Sequence, residues 1–326
     1  MKSISYVGID ISKLTFDVAI IDGSGRYHSY KFTNDSSGFR RLLQKAKEQT
    51  CHFVMEASGP YYLKLATFLN EAGYAVSVVN PLIIRRFCQM KMMRAKTDKK
   101  DAVMIAEYGR INEPDCWLAD QDYVLELKQL QAYLDQLNKQ RTSFIRQQEA
   151  FKQNTVVSKE VKSGTTKFIR AMDKEAAKIE HRMISIISLH HQQMFDHLQS
   201  IPGLGKKTSM LLIVLTGAFE KFDNAKQISS YFGLSPRIYE SGTSIKGRAR
   251  ICKMGMGKMR QLLYMCAMNA KRANKACKDL YDRLIEKGKS GKLALIAVAN
   301  KLVKQAFALA TKQQFYNSNY SPNACF

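Results

Sequence analysis

The polar–apolar pattern of the first hundred residues reads as short strands that give way to helices. Ser5-Tyr6-Val7-Gly8-Ile9-Asp10-Ile11 is an apolar, β-favouring run that delivers one acid, Asp10, near its far end, with Ser12 and Lys13 following. Phe16 to Ile21 is a second such run, Asp22-Gly23-Ser24-Gly25 has hairpin-turn composition, and Tyr27 to Phe32 alternates as a third. Asn34 to Ser37 offers N-cap side chains for a helix to about Glu48. His52-Phe53-Val54-Met55-Glu56 is a fourth strand pattern that also ends in an acid, and Gly59-Pro60 opens a helix through Leu69. Tyr74 to Val79 is a fifth strand, stopped by Asn80-Pro81, and helical segments carry the chain to about Arg110.

The order β-β-β-α-β-α-β-α is that of the ribonuclease H-like fold, three antiparallel strands followed by two parallel ones. Such a sheet brings acids from its first strand, its fourth strand and a late helix to one edge. Here those positions hold Asp10, Glu56 and the pair Asp98/Asp101, and a separation of three places that pair on one helical face. Asp10 taken alone serves equally well as a turn cap. Four carboxylates brought together repel one another unless hard cations lie between them, and Mg²⁺ takes oxygen ligands and suits phosphoryl chemistry. The expected cofactor is therefore Mg²⁺, held by Asp10, Glu56, Asp98 and Asp101.

Beyond Pro114 and the acidic stretch 115–122, the period changes to that of long helices. Leu127, Leu130, Leu134 and Leu137 continue as Phe144 and Phe151, with Arg141 and Gln148 at the intervening seam positions. Ile169, Met172, Ala176, Ile179, Met183, Ile186 and His190 keep the same rhythm. Residues 155–166, polar and containing Gly164, read as the tip between the two helices. The seam specifies a partner helix but not its chain, so an internal antiparallel pair and a dimerising coiled coil both fit. His190, His191 and His197 read as surface or seam residues. Next, Ile201-Pro202-Gly203-Leu204-Gly205-Lys206-Lys207 has the pattern of a helix-hairpin-helix turn, which serves either backbone phosphate contact or structure alone. A small helix over 228–234 leads to Tyr239-Glu240-Ser241-Gly242, a glycine-containing polar loop flanked by cations; Ser241 is a candidate nucleophile there, although most loops of this composition are only loops. Helices are expected over 258–272, 275–287 and 293–312, and the tail from Ser318 reads as polar and loose.

Composition adds direction. The 326 residues suffice for two or three domains, and we place boundaries to give 1–121, 122–197 and 198–326. The net charge is +23, and residues 201–326 carry 22 Lys and Arg against 6 Asp and Glu. A basic C-terminal region beside an acid-bearing N-terminal one suits an enzyme acting on nucleic acid. Seven scattered cysteines with no C-x-x-C pair suggest neither a disulfide framework nor a zinc site. No signal-peptide pattern opens the chain and no apolar run is seen that approaches a bilayer span, so a cytoplasmic protein without membrane contact is expected.

Five motifs in register then point to one family: Gly8-Ile9-Asp10, Met55-Glu56-Ala57-Ser58-Gly59, Lys96-Thr97-Asp98-Lys99-Lys100-Asp101-Ala102, Ile201-Pro202-Gly203-Leu204-Gly205 and Tyr239-Glu240-Ser241-Gly242. From Tyr6 to Lys312 the chain resembles the DEDD transposases of the "one-ten" insertion-sequence family, relatives of the Piv invertases, some of which are bridge-RNA-guided recombinases. The resemblance implies a RuvC-like ribonuclease H-fold domain, a helical coiled-coil arm and a mostly helical C-terminal transposase domain with a helix-hairpin-helix, an α/β plus α architecture. It also implies that Asp10, Glu56, Asp98 and Asp101 are the catalytic acids and Ser241 the nucleophile. DNA is then cut and rejoined through a 5′-phosphoserine link, with donor and target DNA chosen by a noncoding bridge RNA. The assembly is a homodimer pairing into a tetramer, Ser241 of one subunit completing the acid site of another. Expected phosphate contacts are Arg94, Lys96, Lys99, Lys100, Lys206, Lys207, Arg237, Lys246, Arg248, Arg250, Lys253, Lys258 and Arg260, which position nucleic acid rather than read it. Two other functions fit the residues: a metal-dependent junction resolvase that uses the same acids with water, and a nonenzymatic nucleic-acid-binding protein.

Overall fold

A computed structural model describes residues 4–22, 25–46, 50–93, 97–237, 240–241, 245–246, 250–252 and 254–319. Five strands, β1 (Ser5–Ile11), β2 (Thr15–Ile21), β3 (Tyr27–Thr33), β4 (Cys51–Glu56) and β5 (Ala75–Val79), form one sheet in the order β3-β2-β1-β4-β5. The first three pair antiparallel and the last two join in parallel, as the strand patterning requires. Helices α1 (Ser36–Ala46), α2 (Leu63–Glu71), α3 (Pro81–Met90) and α4 (Asp98–Asn112) complete this first unit. One sheet face is closed by Phe16, Phe32, Phe39, Leu42, Phe53 and Leu65. The other carries Ala19 against Ala102 and Ala106, and Val54 against Ile105.

The stretch 114–122, expected at a domain boundary, begins against β5. Ser77 on β5 bonds the carbonyls of Pro114 and Asp115, and Trp117 donates its backbone N–H to Val76. The division falls between Ala119 and Asp120.

In the second unit α5 (Asp122–Phe151) and α6 (Lys159–Gln199) run antiparallel within the one chain. Arg182 reaches Glu126, Arg141 pairs with Asp173, and Phe144 stacks on Phe168. Leu127 and Leu134 meet Ile179, Met183 and Ile186 in a core that continues into the helices after them. The seam is thus satisfied internally along its buried half. Gly164, expected at the tip, lies inside α6 instead, because Ser158 caps that helix just ahead of it and the cap outweighs one glycine. A kink at His191 (φ −142°, ψ 33°) coincides with Tyr123, which stacks on His190 and hydrogen-bonds the His191 ring.

Helices α7 (Lys206–Thr216), α8 (Ala225–Tyr231), α9 (Gly257–Ala273), α10 (Lys275–Glu286) and α11 (Gly291–Lys312) complete the unit. The short helix starts earlier than the pattern suggested because Asn224 caps it through two backbone amides. Among the described residues between α8 and α9 are four two-residue strands, β6 (Pro236–Arg237), β7 (Glu240–Ser241), β8 (Ile245–Lys246) and β9 (Arg250–Ile251). The expectation of no long apolar segment needs correction for α11. It is long and apolar enough by composition to cross a membrane. In the fold it is a core helix, burying Leu295, Val298, Leu302, Val303 and Ala306.

Candidate active site

Asp10 lies near the end of β1 and stands opposite Asp17 of β2 in the antiparallel register. β4 runs beside β1 with Ile9 opposite Met55, so Glu56 follows at the level of Asp10. Alternation along these strands sends Tyr6, Gly8, Asp10, Val54, Glu56, Asp17 and Ala19 to the same sheet face. α4 lies on that face. Its N-cap Thr97 takes the Lys100 amide, and Asp98 and Asp101 occupy its first turn, where two acids also complement the helix dipole.

Gly8 is what allows α4 so close. A Cβ at Gly8 would stand 2.1 Å from the Ala102 carbonyl oxygen and 2.3 Å from the Ala106 nitrogen. Gly109 does the same a turn further on, where a Cβ would meet Val54 and Tyr6 side chains. Small residues on both elements therefore set the carboxylates of the first helical turn against Asp10. Gly8→Ala is expected to lower stability by about 3 kcal/mol or more, since the obstacle is backbone. Gly164→Ala, in open space on α6, should instead gain up to about 1 kcal/mol. Urea unfolding of the two variants checks the contrast; equal midpoints would mean that α4 can lift without cost.

The electrostatics agree with this packing. Burial first, then Asp101, Asp98, Glu56 and Asp17, push the Asp10 carboxyl up to about 6. Asp17 is 4% exposed and pairs with Lys31 of β3 at 3.4 Å. Strand patterning gave no reason to single out Asp17. Its burial depends on α4, which local alternation cannot report. Ser58 donates to the Glu56 carboxylate at 2.5 Å and fixes its orientation. Among the described residues, no three His, Cys, Asp or Glu side chains close into a metal-binding shell. Mutual repulsion of like charges works against such closure. The donor set is nevertheless all carboxylate oxygen, which suits a hard divalent cation.

The other predicted residues are divided between the two units. Ser241 is paired with Ile245 and Glu240 with Lys246, so its backbone belongs to a short hairpin ladder rather than to an irregular loop. Arg237 and Arg250 are held by the pairing of β6 with β9. Only the backbones of Arg237, Ser241, Lys246 and Arg250 are described, and Arg94, Lys96, Arg248 and Lys253 lie outside the described residues. Lys99 and Lys100 are exposed on α4, and Lys206 is exposed at the start of α7. Lys207 pairs with Glu180 at 3.0 Å, and Lys258 pairs with Asp135. Arg260 donates to the Phe232 carbonyl at 2.9 Å and so braces the turn at Gly233. In the turn before α7, Gly203 has φ +104° and lies against Ala270 of α9, too close for a Cβ.

Comparison with known proteins gives a consistent picture. A DEDD transposase model of IS110 matches residues 7–155, and a model described as Transposase IS116/IS110/IS902 family matches residues 196–282. The chain is 34% identical over 319 residues to the "Pilin gene-inverting protein" of Moraxella bovis, covering 94% of this chain and 95% of that one. The Moraxella lacunata protein of the same name is also 34% identical, over 317 residues, with the same coverage. The "Transposase for insertion sequence element IS1111A" of Coxiella burnetii is 25% identical over 349 residues, covering 97% and 92%.

Proposed function

The chain belongs to the IS110 family of transposases, and from that premise we propose that it cuts and rejoins DNA through a covalent link to Ser241. The observation that carries the reading is the packing of α4 on Gly8, which sets Asp98 and Asp101 beside Asp10 and Glu56. We assign the first unit a RuvC-like ribonuclease H fold on its strand order, and the α6–α7 turn a helix-hairpin-helix role. Mg²⁺, held by Asp10, Glu56, Asp98 and Asp101, would supply positive charge that polarises the scissile phosphate and acidifies the attacking hydroxyl.

The chain's own residues do the rest. The Ser241 oxygen bonds to phosphorus as the P–O3′ bond breaks; the serine proton is lost and the leaving 3′ oxygen gains one. The 5′ phosphate stays on the serine, so the reverse attack by a 3′ hydroxyl rejoins DNA without ATP. Ser58 holds Glu56 in one orientation, and the buried Asp17, paired with the exposed Lys31, forms the wall beside Asp10. Lys99, Lys100 and Lys206 take backbone phosphates and leave sequence unread. Target choice then falls to base pairing with a bridge RNA, and Ser241 reaches the acids of another subunit in a dimer or tetramer. Donor and target DNA are the substrates, as the inverting and transposing activities named for the relatives suggest.

The test is denaturing electrophoresis of end-labelled element-junction DNA incubated with the protein, its copurified RNA and Mg²⁺. A protein–DNA adduct that survives denaturant and needs Mg²⁺ is expected. Cleavage without any adduct would favour a resolvase that uses water.

A further inference from the structure

The C-terminal half of α11 and the segment after it form a second candidate site, on a face that the transposase reading does not use. A depression of about 840 Å³ is lined by Lys301, Lys304, Gln305, Lys312, Phe315 and Tyr316 among others, with no carboxylate in its described lining. Lys301, Lys304, Gln305 and Lys312 fall on one side of α11, opposite the buried Leu302, Val303 and Ala306. The lysines span roughly 16 Å of helix axis, several phosphate spacings of a nucleic-acid strand.

Three clustered lysines and one fixed aromatic ring make up this groove, and the ring is what separates it from ordinary solvated surface. Four lysines of the same unit sit on acids, Lys128 and Lys221 on Asp120, Lys207 on Glu180 and Lys258 on Asp135, while others, such as Lys206, carry no ion pair among the described residues. Among the described residues no carboxylate lies within ion-pair distance of Lys301, Lys304 or Lys312. The ring is that of Phe315, 63% exposed yet held in place. Gln313 turns the chain with φ +51°, and Gln314 donates back to the Leu309 carbonyl at 3.2 Å. Tyr316 is tied at both ends, its N–H to Ser200 at 2.8 Å and its hydroxyl to the wholly buried Asn274 at 3.0 Å. The Phe315 ring meets His197 edge-on at 4.7 Å, and most of the ring remains open to solvent. An exposed aromatic ring on a fixed backbone, beside three unneutralised cations and an amide, has the components needed to stack and hold an unpaired nucleotide.

We propose that this groove binds single-stranded nucleic acid, one base stacking on Phe315 and the adjoining phosphates resting on Lys301, Lys304 and Lys312. It rests on the reading of the chain as a nucleic-acid enzyme but uses none of the acid-site residues. The test is fluorescence anisotropy with labelled 12-nucleotide single strands, one of DNA and one of RNA, and a duplex of equal length. Each is titrated against the wild-type chain, Phe315→Ala and the pair Lys304→Glu/Lys312→Glu. Phe315→Ala should weaken single-strand binding by about tenfold and leave duplex binding unchanged. The double lysine change should also flatten the salt dependence of single-strand binding. A larger loss with DNA than with RNA, or the reverse, identifies which strand the groove takes. Unchanged single-strand binding in both variants, or equal loss for single strand and duplex, overturns the proposal. Because Phe315 is exposed, an unchanged melting temperature should accompany Phe315→Ala. DNA cleavage assayed in parallel separates the two readings: cleavage that persists while neither variant alters binding leaves the transposase function intact and removes only this groove.

Discussion

Asp10→Asn should abolish strand cleavage and at the same time yield a more stable protein. The two effects come from one cause. Asp10 sits partly buried among Asp101, Asp98, Glu56 and Asp17, and its carboxyl is pushed up to about 6 for that reason. A carboxylate whose folded pKa is raised binds its proton more tightly in the native state than in the unfolded one. The native state is then progressively penalised as pH rises from about 4 to about 6, and the full penalty remains above that window. Asp10 retains considerable solvent exposure, so screening holds the cost to the order of 1 kcal/mol. Without divalent ions, Asp10→Asn should therefore melt a few degrees above the wild type at pH 7.5 and lose that advantage near pH 4. Added Mg²⁺ should raise the wild-type melting temperature and barely move the variant, because one ligand charge is gone. Scanning calorimetry at two pH values, with and without Mg²⁺, reads both effects independently of activity. Retained cleavage in Asp10→Asn would defeat the assignment of this acid. A variant less stable than wild type at pH 7.5 would mean that the carboxylate is compensated by a partner inside the protein.

Much of the sheet was legible because half-buried strands announce themselves by alternation and turns by glycine and asparagine. The acids at the ends of β1 and β4 could be placed from register alone. What was not legible is why they meet the helix acids. That contact is made by Gly8, Ala102, Ala106 and Gly109, and residues without bulk leave almost no periodic apolar signal. Asp17 failed to stand out for a related reason. Within β2 it reads as the polar member of an alternating pair, and only α4 overhead makes it 4% exposed. The helical seam was read correctly in rhythm, but periodicity carries no information about which chain supplies the partner. The intramolecular pairing of Arg182 with Glu126 and of Arg141 with Asp173 answers that for the pair itself. The end of α11 was obscured by a polar tail. A left-handed residue at Gln313 and two bonds from Tyr316 fix that segment, and none of the three has a sequence signature strong enough to be read in advance.

Ser241→Ala should leave DNA binding and metal binding intact while eliminating both the covalent adduct and the recombinant product. The residue lies at the end of β7, paired with Ile245 across a short hairpin, with Thr243 and Ser244 in the intervening segment outside the described residues. A backbone in a paired strand is held better than one in an open loop. The Ser241 hydroxyl remains a poor nucleophile until its proton is taken, so attack must await docking against the acids. Those acids belong to the other compact unit of the chain, and on our reading to another subunit. Such a division restrains cleavage until assembly on DNA brings the two halves together. The same acids with water would cut DNA but would have no use for Ser241, which is what makes this variant decisive. Ser241→Ala, Thr243→Ala and Ser244→Ala are compared on labelled substrate by denaturing electrophoresis, with mass spectrometry of the DNA-linked peptide from the wild type. The adduct should survive in the second and third variants and vanish in the first, with a loss of product of at least a thousandfold, or about 4 kcal/mol in the barrier. If Ser241→Ala still nicks DNA at the wild-type rate, water is the nucleophile and the protein is a resolvase built on the same acids.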